Sequence, residues 1–389
     1  MTAHTQGQTP DGRAPKSQAR NSRVNSPSIR AETKRPLKTR AAPSVPVVCP
    51  ATLRVSGPGE LLEAIPYLIG FHPRRSLVMV GLAGSRVAVS LRMDLEDARL
   101  PPELTDSIAV LRRAQATAAV VALYVDERAE PGHSSPDAAL LAEVVVALRA
   151  VNLQVWDVLL VCDERWWSYS AAATPDGLGG PGGRLRGDSA PIAAAAVFAG
   201  LVAHPDRATL SALLDPDPDQ PRDRLRSLIA GRDASGVRVD PARVGRQQRS
   251  VKRSLFAAAR DADGAPISGS AVALPEDVLV RYALGLRDIA VRDAIWLAVD
   301  QRRLDGRGFW LTLARRLPSP YDSAALFLFG WSSWRDGNGA LASMAAERAL
   351  RSDPGYSAAE LLLSAVKHGL DPYRTPRLRS PRRESGERC

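Results

Sequence analysis

The sequence predicts an α/β amino-terminal domain with a mixed sheet, followed by an all-α carboxyl-terminal region and flanked by basic tails. Three observations support this fold class. The segment 120–125, which is apolar on both faces, and the strand predicted over 155–162 enclose a helical pattern, which is typical of a βαβ unit with parallel strands. From residue 190 onward only helical periodicity appears. Both ends of the chain are polar and lack the apolar groups that a core needs.

The first elements can be derived residue by residue. A helix is expected to begin with Pro58 in its first turn, where the missing amide proton costs nothing. Pro66 is expected to kink or end this helix, and Gly70 suits a left-handed stop. The apolar residues 77–82 then predict a buried strand, and the alternation over 86–91 predicts a strand whose polar side faces solvent.

The domain organisation follows from changes in composition. Residues 1–46 and 373–389 are predicted to be disordered basic tails. Between them we expect an α/β domain over 47–188, a helical connector over 189–285 and a further helical region over 286–372. The segment that joins the α/β domain to the connector breaks the strand–helix pattern and is expected to be irregular.

The positive charge is concentrated in the two tails. The chain carries a net charge of +10, of which residues 1–46 contribute +7 and residues 373–389 contribute +4, so the body is close to neutral at −1. Basic arms of this kind can bind nucleic acid or simply keep a protein soluble. Nucleic-acid association through the tails is therefore possible but not favoured.

The cysteines and the apolar runs bear on the cellular compartment. Cys49, Cys162 and Cys389 show no paired spacing, which fits a reducing compartment without disulfides. No apolar signal segment precedes the fold, and the longest apolar run, 190–203, is shorter than the roughly 20 residues that span a bilayer. We therefore expect a cytoplasmic protein without a membrane partner.

Acidic pairs follow two of the predicted strands. Asp126 and Glu127 end the first strand of the βαβ unit, and Asp163 and Glu164 end the second. Because parallel strands place their carboxyl ends at one edge of a sheet, these carboxylates could share a divalent metal or act as an acid–base pair. The simpler alternative is that they are solvated strand ends. The sequence identifies no cofactor.

Two arginines precede the first strand. The guanidinium groups of Arg74 and Arg75 could hold an anion, although a solvated loop is the simpler interpretation. If the strand that follows runs parallel to the βαβ strands, these arginines lie at the opposite edge of the sheet from the acidic pairs.

A repeat of 34 residues occupies the end of the helical region. The pattern Pro320, Ser323, Ala324, Ala325 and Leu328 recurs at Pro354, Ser357, Ala358, Ala359 and Leu362. This period and the small residues within it resemble degenerate tetratricopeptide repeats. In such repeats the first helix of each unit lines a concave groove.

The first helix of this repeat supplies a candidate partner groove. The residues assigned to it are Phe327, Trp331, Trp334 and Arg335. Exposed tryptophans beside an arginine would suit a peptide or protein partner. The alternative is that the two tryptophans pack against the preceding helices around Trp296 and Trp310.

Three stretches resemble a known family. Residues 65–80 read Ile-Pro-Tyr-Leu-Ile-Gly-Phe-His-Pro-Arg-Arg-Ser-Leu-Val-Met-Val, residues 165–169 read Arg-Trp-Trp-Ser-Tyr, and the stretch 321–339 begins Tyr-Asp-Ser-Ala-Ala-Leu. They are similar to the family known as domain of unknown function 4192. This resemblance covers roughly residues 50–372 and implies no particular activity, substrate or partner.

These observations favour a protein–protein interaction or scaffold protein. No phosphate-binding G-x-x-x-x-G-K-[ST] motif, G-x-S-x-G, H-E-x-x-H or C-x-x-C motif occurs, so an enzyme is not favoured. Two alternatives stay open. One is a small-molecule- or metal-dependent enzyme that uses the acidic strand ends, and the other is nucleic-acid association through the basic tails.

Overall fold

A mixed sheet of six strands organises the amino-terminal half. The computed structural model describes residues 54–126, 136–169, 182–218, 221–234, 241–261 and 274–379. The strands are β1 (Ser76–Ala83), β2 (Arg86–Asp94), β3 (Ala118–Val125), β4 (Gln154–Cys162), β5 (Arg165–Ser168) and β6 (Gly182–Arg184). Their order in the sheet is β2-β1-β3-β4-β5-β6.

The strand directions confirm the mixed sheet and its βαβ unit. β3 and β4 run parallel and are connected through a helix, α4 (Pro136–Ala150). All other neighbouring strands are antiparallel, including β1 with both β2 and β3. The antiparallel pairing of β1 with β3 brings the amino end of β1 to the edge where β3 and β4 end.

The first helix, α1 (Pro58–Ile69), ends where its local residues predict. Gly57 is its N-cap, and Gly70 adopts a left-handed conformation with φ 90° while its amide donates to the carbonyl of Pro66. Glycine suits this stop because it has no Cβ to clash at positive φ. Pro66 does not end the helix, which continues to Ile69.

The polar side of β2 is covered, which the sequence did not predict. Ser90 Oγ is buried, and the side chain of Arg92 is only 13% exposed. The guanidinium of Arg92 lies over the ring of Phe71 at 5.8 Å and donates to the carbonyl of Arg74. Phe71 comes directly after the first helix, so the chain leaving that helix covers the side that alternation assigned to solvent.

Strands β5 and β6 lie in the segment that was expected to be irregular. With four and three residues they are too short to show periodicity, and they are held by backbone pairing to β4 and to each other. Trp166 of β5 packs beneath the first turn of α1, where a Cβ on Gly59 would lie 3.3 Å from its ring.

Helices fill the rest of the chain. They are α2 (Leu95–Ala98), α3 (Pro101–Arg113), α5 (Pro191–Phe198), α6 (Arg207–Ala212), α7 (Arg222–Ala234), α8 (Pro241–Asp261), α9 (Glu276–Arg287), α10 (Ile289–Asp300), α11 (Arg307–Arg316), α12 (Ser323–Arg335), α13 (Gly339–Ser352) and α14 (Ser357–Lys367). The chain divides at Asp288 between α9 and α10. Its carboxylate accepts hydrogen bonds from the amides of Ala290 and Val291 and thereby caps α10.

Apolar side chains cover both faces of the sheet. On one face Leu77, Met79 and Val121 pack with α3 and α4. On the other face Val78 and Val80 pack with α1, and this cluster continues without interruption into the carboxyl-terminal helices as far as α14. One core therefore crosses the domain boundaries predicted at 188 and 285. The boundaries themselves stay predictions.

The last three helices carry the 34-residue offset. α12 begins at Ser323 and α14 at Ser357, with α13 packed against both. Gly330 permits this close packing, because a Cβ there would lie 2.9 Å from Leu362 Cδ2 and 3.1 Å from Ala345 Cβ. Across the described ranges, no helix combines the length and the apolar character that crossing a membrane requires.

Candidate functional site

The carboxyl ends of β3 and β4 meet at one edge of the sheet, as the sequence predicts. The parallel register pairs Val125 with Cys162, so Asp126 and Asp163 follow side by side. The thiol of Cys162 lies 3.5 Å from the carbonyl oxygen of Asp126. Glu127, the fourth predicted member of this group together with Glu164, lies outside the described residues.

Arg75 belongs to this edge. Because β1 is antiparallel to β3, the residue before β1 lies beside the residue after β3, and not at the opposite edge that a parallel arrangement would require. Arg75 Nη2 lies 2.6 Å from Glu96 Oε1, and Nη1 lies 3.4 Å from Asp126 Oδ2. The hydrogen bond from Arg75 lowers the pKa of Glu96.

One of the two arginines of the predicted anion site is therefore already paired. Arg75 is already engaged by two carboxylates, and the neighbouring Arg74 offers its carbonyl to Arg92. Each of the three charged side chains in the Arg75 cluster is more than half exposed. Exposed ion pairs of this kind contribute little to stability.

Glu164 is likewise paired. Arg184 of β6 donates from Nε to Glu164 Oε2 at 2.9 Å, and both side chains are exposed. Asp163 occupies the tight turn into β5 with a positive φ of 52°. Among the residues that the structure describes, no group of three or more His, Cys, Asp or Glu side chains is placed to hold a metal ion.

The second candidate site, the predicted partner groove, is buried. Every residue of α12 is buried, because α10, α11, α13 and α14 all pack against it. The exposed fractions of the four predicted groove residues are 0% for Phe327, 5% for Trp331, 3% for Trp334 and 2% for Arg335. The expectation that these side chains form an open surface is therefore wrong.

Aromatic packing explains the burial of the tryptophans. The ring of Trp296 on α10 meets those of Phe327 and Trp331 edge to face, with 5.0 Å between centroids in both pairs. Trp331 also packs against Trp334 at 4.9 Å. The structure thus supports the alternative in which the tryptophans pack around Trp296.

A buried ion pair lies beside these rings. Asp300, the last residue of α10, is fully buried, and its Oδ1 accepts hydrogen bonds from Arg335 Nε at 2.6 Å and from Trp331 Nε1 at 2.9 Å. The Arg335 guanidinium also lies 5.5 Å from the ring of Trp331 and 4.8 Å from that of Trp334. Ring contacts and the carboxylate together fix the direction of the guanidinium.

The remaining donors of Arg335 bind the main chain of residues 371–379, which we call the C-terminal segment. Nη1 donates to the carbonyls of Pro372 at 2.7 Å and Thr375 at 2.9 Å. Nη2 donates to the carbonyl of Pro376 at 3.2 Å. One buried arginine therefore satisfies three carbonyl oxygens of a segment that belongs to no helix or strand.

The end of α10 binds the same segment further along. Asp300 Oδ2 accepts from the amide of Leu378 at 2.6 Å, while Gln301 Nε2 donates to the carbonyl of Leu378 at 2.8 Å. Arg377 donates to the carbonyl of Asp300 at 2.7 Å, and the side chain of Leu378 packs against the main core.

We call the residues that bind this segment the C-terminal slot, namely Asp300, Gln301 and Arg335. The arrangement binds the main chain of an extended peptide and adds one apolar anchor.

Sequence reasoning missed two parts of this arrangement. Residues 373–379 were assigned to a disordered tail, yet they include the residues that dock into the slot. Asp300 was not singled out, although a lone acid after the apolar stretch 295–299 is a usable signal for a buried polar contact. Its partner lies 35 residues further along the chain, which no local pattern reveals.

Comparison with known proteins places the whole fold in one family. No curated protein and no solved structure gives a significant match to this chain. The family described as domain of unknown function (DUF4192) matches residues 58–373, a range that includes the sheet, the helices and the start of the C-terminal segment. The chain therefore belongs to the DUF4192 family.

Proposed function

We propose that this protein is a cytoplasmic interaction scaffold whose helical region binds extended peptide segments. The observation that carries the proposal is the C-terminal slot, in which buried Asp300 and Arg335 bind the main chain of residues 371–379. In this proposal the chain's own segment occupies the slot until a partner segment displaces it. The three cysteines of the chain show no paired spacing, which fits a reducing compartment.

The contacts in the slot suit recognition of a peptide backbone. Four hydrogen bonds, three from Arg335 and one to Asp300, bind carbonyl or amide groups that any peptide offers. Selectivity then comes from the pocket that holds Leu378 and from the direction that the chain takes at Pro372 and Pro376. This combination of main-chain hydrogen bonds and one side-chain pocket recurs in modules that bind extended peptides.

The helical region is also proposed to be tetratricopeptide-like. The 34-residue offset between α12 and α14 and the close packing at Gly330 support this assignment. Stacked helical repeats of this type use extended concave surfaces to bind partners. Here the slot lies at the carboxyl ends of α10 and α12, beside the buried rings.

Occupation by a segment of the same chain predicts weak binding of outside peptides. A tethered segment acts at an effective concentration in the millimolar range. A free peptide of the same sequence must compete with it and binds weakly to the unaltered chain. Weakening the internal segment, without altering the slot, should expose the slot to the free peptide.

Leu378→Pro in the full-length chain provides this test. Proline removes the amide that donates to Asp300 and also removes the apolar anchor, while every slot residue stays in place. A fluorescent peptide with the sequence of residues 371–379 should bind this variant about tenfold or more tightly than the unaltered chain, as measured by anisotropy.

Two controls make this experiment decisive. Arg374→Ala alters an exposed residue of the same segment whose only described ion pair is with Asp371, so it should leave peptide binding unchanged. Adding Arg335→Lys to the Leu378→Pro chain should abolish binding, because an ammonium cannot reproduce the guanidinium fork. Equal peptide affinities for the Leu378→Pro and unaltered chains would contradict the proposal.

A further inference from the structure

Helix α8 carries a continuous basic stripe on its outer face. It consists of Arg246, Arg249, Arg253 and Arg260, all exposed. At about 3.6 residues per turn these four side chains fall within an arc of about 60°. We call this set the α8 stripe.

The opposite face of α8 is the one that joins the core. Val251, Leu255 and Ala259 are buried and belong to the large apolar cluster. The helix is therefore held in one orientation, and the arginines are fixed on the side away from the core. A helix that is held in one orientation presents a defined basic surface.

The stripe is not neutralised by the rest of the described structure. None of its four arginines forms an ion pair with a described carboxylate, whereas Arg287 and Arg292 on the neighbouring helices are each paired with an aspartate. Arg281 of α9 adds a further positive charge beside α8, because its Nη2 lies 3.2 Å from Ser254 Oγ.

We propose that the α8 stripe is a binding surface for the phosphate backbone of double-stranded nucleic acid. Arginine guanidinium groups bind phosphate oxygens through charge-assisted hydrogen bonds, and clustered basic groups give sequence-independent affinity. From Arg246 to Arg260 the stripe spans about 21 Å at 1.5 Å per residue. That length corresponds to about six base pairs at 3.4 Å each. This inference is independent of the peptide slot.

The composition of the stripe favours duplex nucleic acid over other polyanions. The other exposed residues of the helix over 245–261 are Gln247, Ser250, Ala257 and Asp261, so it offers no large apolar side chain to enter a membrane interface. It also lacks an exposed aromatic ring on which unpaired bases could stack, since Phe256 packs against the core. The α8 stripe can therefore make only phosphate contacts, and these suit the backbone of a duplex.

The test compares two full-length variants of equal net charge. One replaces Arg246, Arg249, Arg253 and Arg260 with glutamine. The control replaces four scattered exposed arginines with glutamine, namely Arg112, Arg113, Arg149 and Arg351. Binding to a mixed-sequence DNA duplex is measured by anisotropy between about 50 and 200 mM salt. Circular dichroism melting confirms that both variants are folded.

The expected result for the stripe variant follows from its loss of four phosphate contacts. The slope of log affinity against log salt should fall in magnitude by about 3.6, which is 0.9 for each contact. The dissociation constant of the stripe variant should rise about tenfold or more, and that of the control variant less than about threefold. A third variant with lysine at the four stripe positions keeps the charge and should retain most of the slope.

Three outcomes would overturn the proposal. Equal losses in the stripe and control variants would mean that only net charge matters. An unchanged stripe variant, with binding abolished instead by removal of residues 1–46, would assign nucleic-acid binding to the tail. Weaker binding to vesicles of anionic lipid, without any change toward the DNA duplex, would assign the stripe to membranes.

Discussion

Replacing Asp300 with alanine should destabilise the fold far more than removing a surface charge. Asp300 is fully buried and Arg335 is 2% exposed, so the variant leaves a guanidinium without its counterion inside the protein. Breaking a buried ion pair in this way costs about 3–5 kcal/mol. The indole of Trp331 and the amide of Leu378 lose their acceptor as well. We expect a total near 4 kcal/mol, within that range.

Thermal unfolding of the full chain, followed by circular dichroism, measures this loss. A change of 1 kcal/mol shifts the Tm of a domain of 150–250 residues by about 2–4 °C, so Asp300→Ala should lower the Tm by about 10 °C. The double variant Asp300→Leu with Arg335→Met removes both charges and should recover much of the loss. Arg374→Ala, whose side chain is 74% exposed, serves as the control and should change stability by less than about 1 kcal/mol.

Either of two results would refute this reasoning about the slot. If Asp300→Ala lowered the Tm no more than Arg374→Ala did, the ion pair would not be shielded from water. A double variant less stable than Asp300→Ala would mean that the two side chains hold the fold through something other than their mutual charge.

Three further predictions concern other parts of the fold. Gly330→Val should cost about 1–3 kcal/mol in chemical denaturation, because its side chain enters the tight contact between α12 and α14. Gly231→Val, at a helical glycine with open space around it, should not lower stability. Tyr124→Phe should leave stability unchanged or raise it by about 1 kcal/mol, since it removes a buried hydroxyl without a hydrogen-bond partner, and a clear loss would reveal a partner. Burial lowers the pKa of His72 below its ordinary 6.5, so the unfolded chain takes up a proton first as pH falls. Stability should therefore decline below about pH 6.5, and His72→Gln should flatten that decline in a pH series of melting curves.

Local chemistry made the amino-terminal half predictable. Proline in the first turn and glycine at the stop define α1 because both act through the backbone of their own residues. The segments of β3 and β4 have a helix between them in the sequence. This order predicts parallel strands, because parallel neighbours need a long crossover connection and cannot be joined by a short loop. For the same reason the sequence predicts that Asp126 and Asp163 share an edge.

Pairing between segments that are distant in the sequence determined the other features of the sheet. Arg75 lies beside Asp126 only because β1 is antiparallel to β3, and no pattern within β1 carries that information. The short strands β5 and β6 exist through their neighbours alone.

The difference between what the sequence predicts and what tertiary packing decides is clearest at the candidate site. From its sequence α12 could be identified as a helix rich in tryptophan beside an arginine, and that composition suits an exposed partner surface as well as a core. Which of the two it becomes depends on the other helices that pack around it, α10, α11, α13 and α14. Periodicity reports on a single element, whereas the burial of a side chain depends on every segment that packs around it.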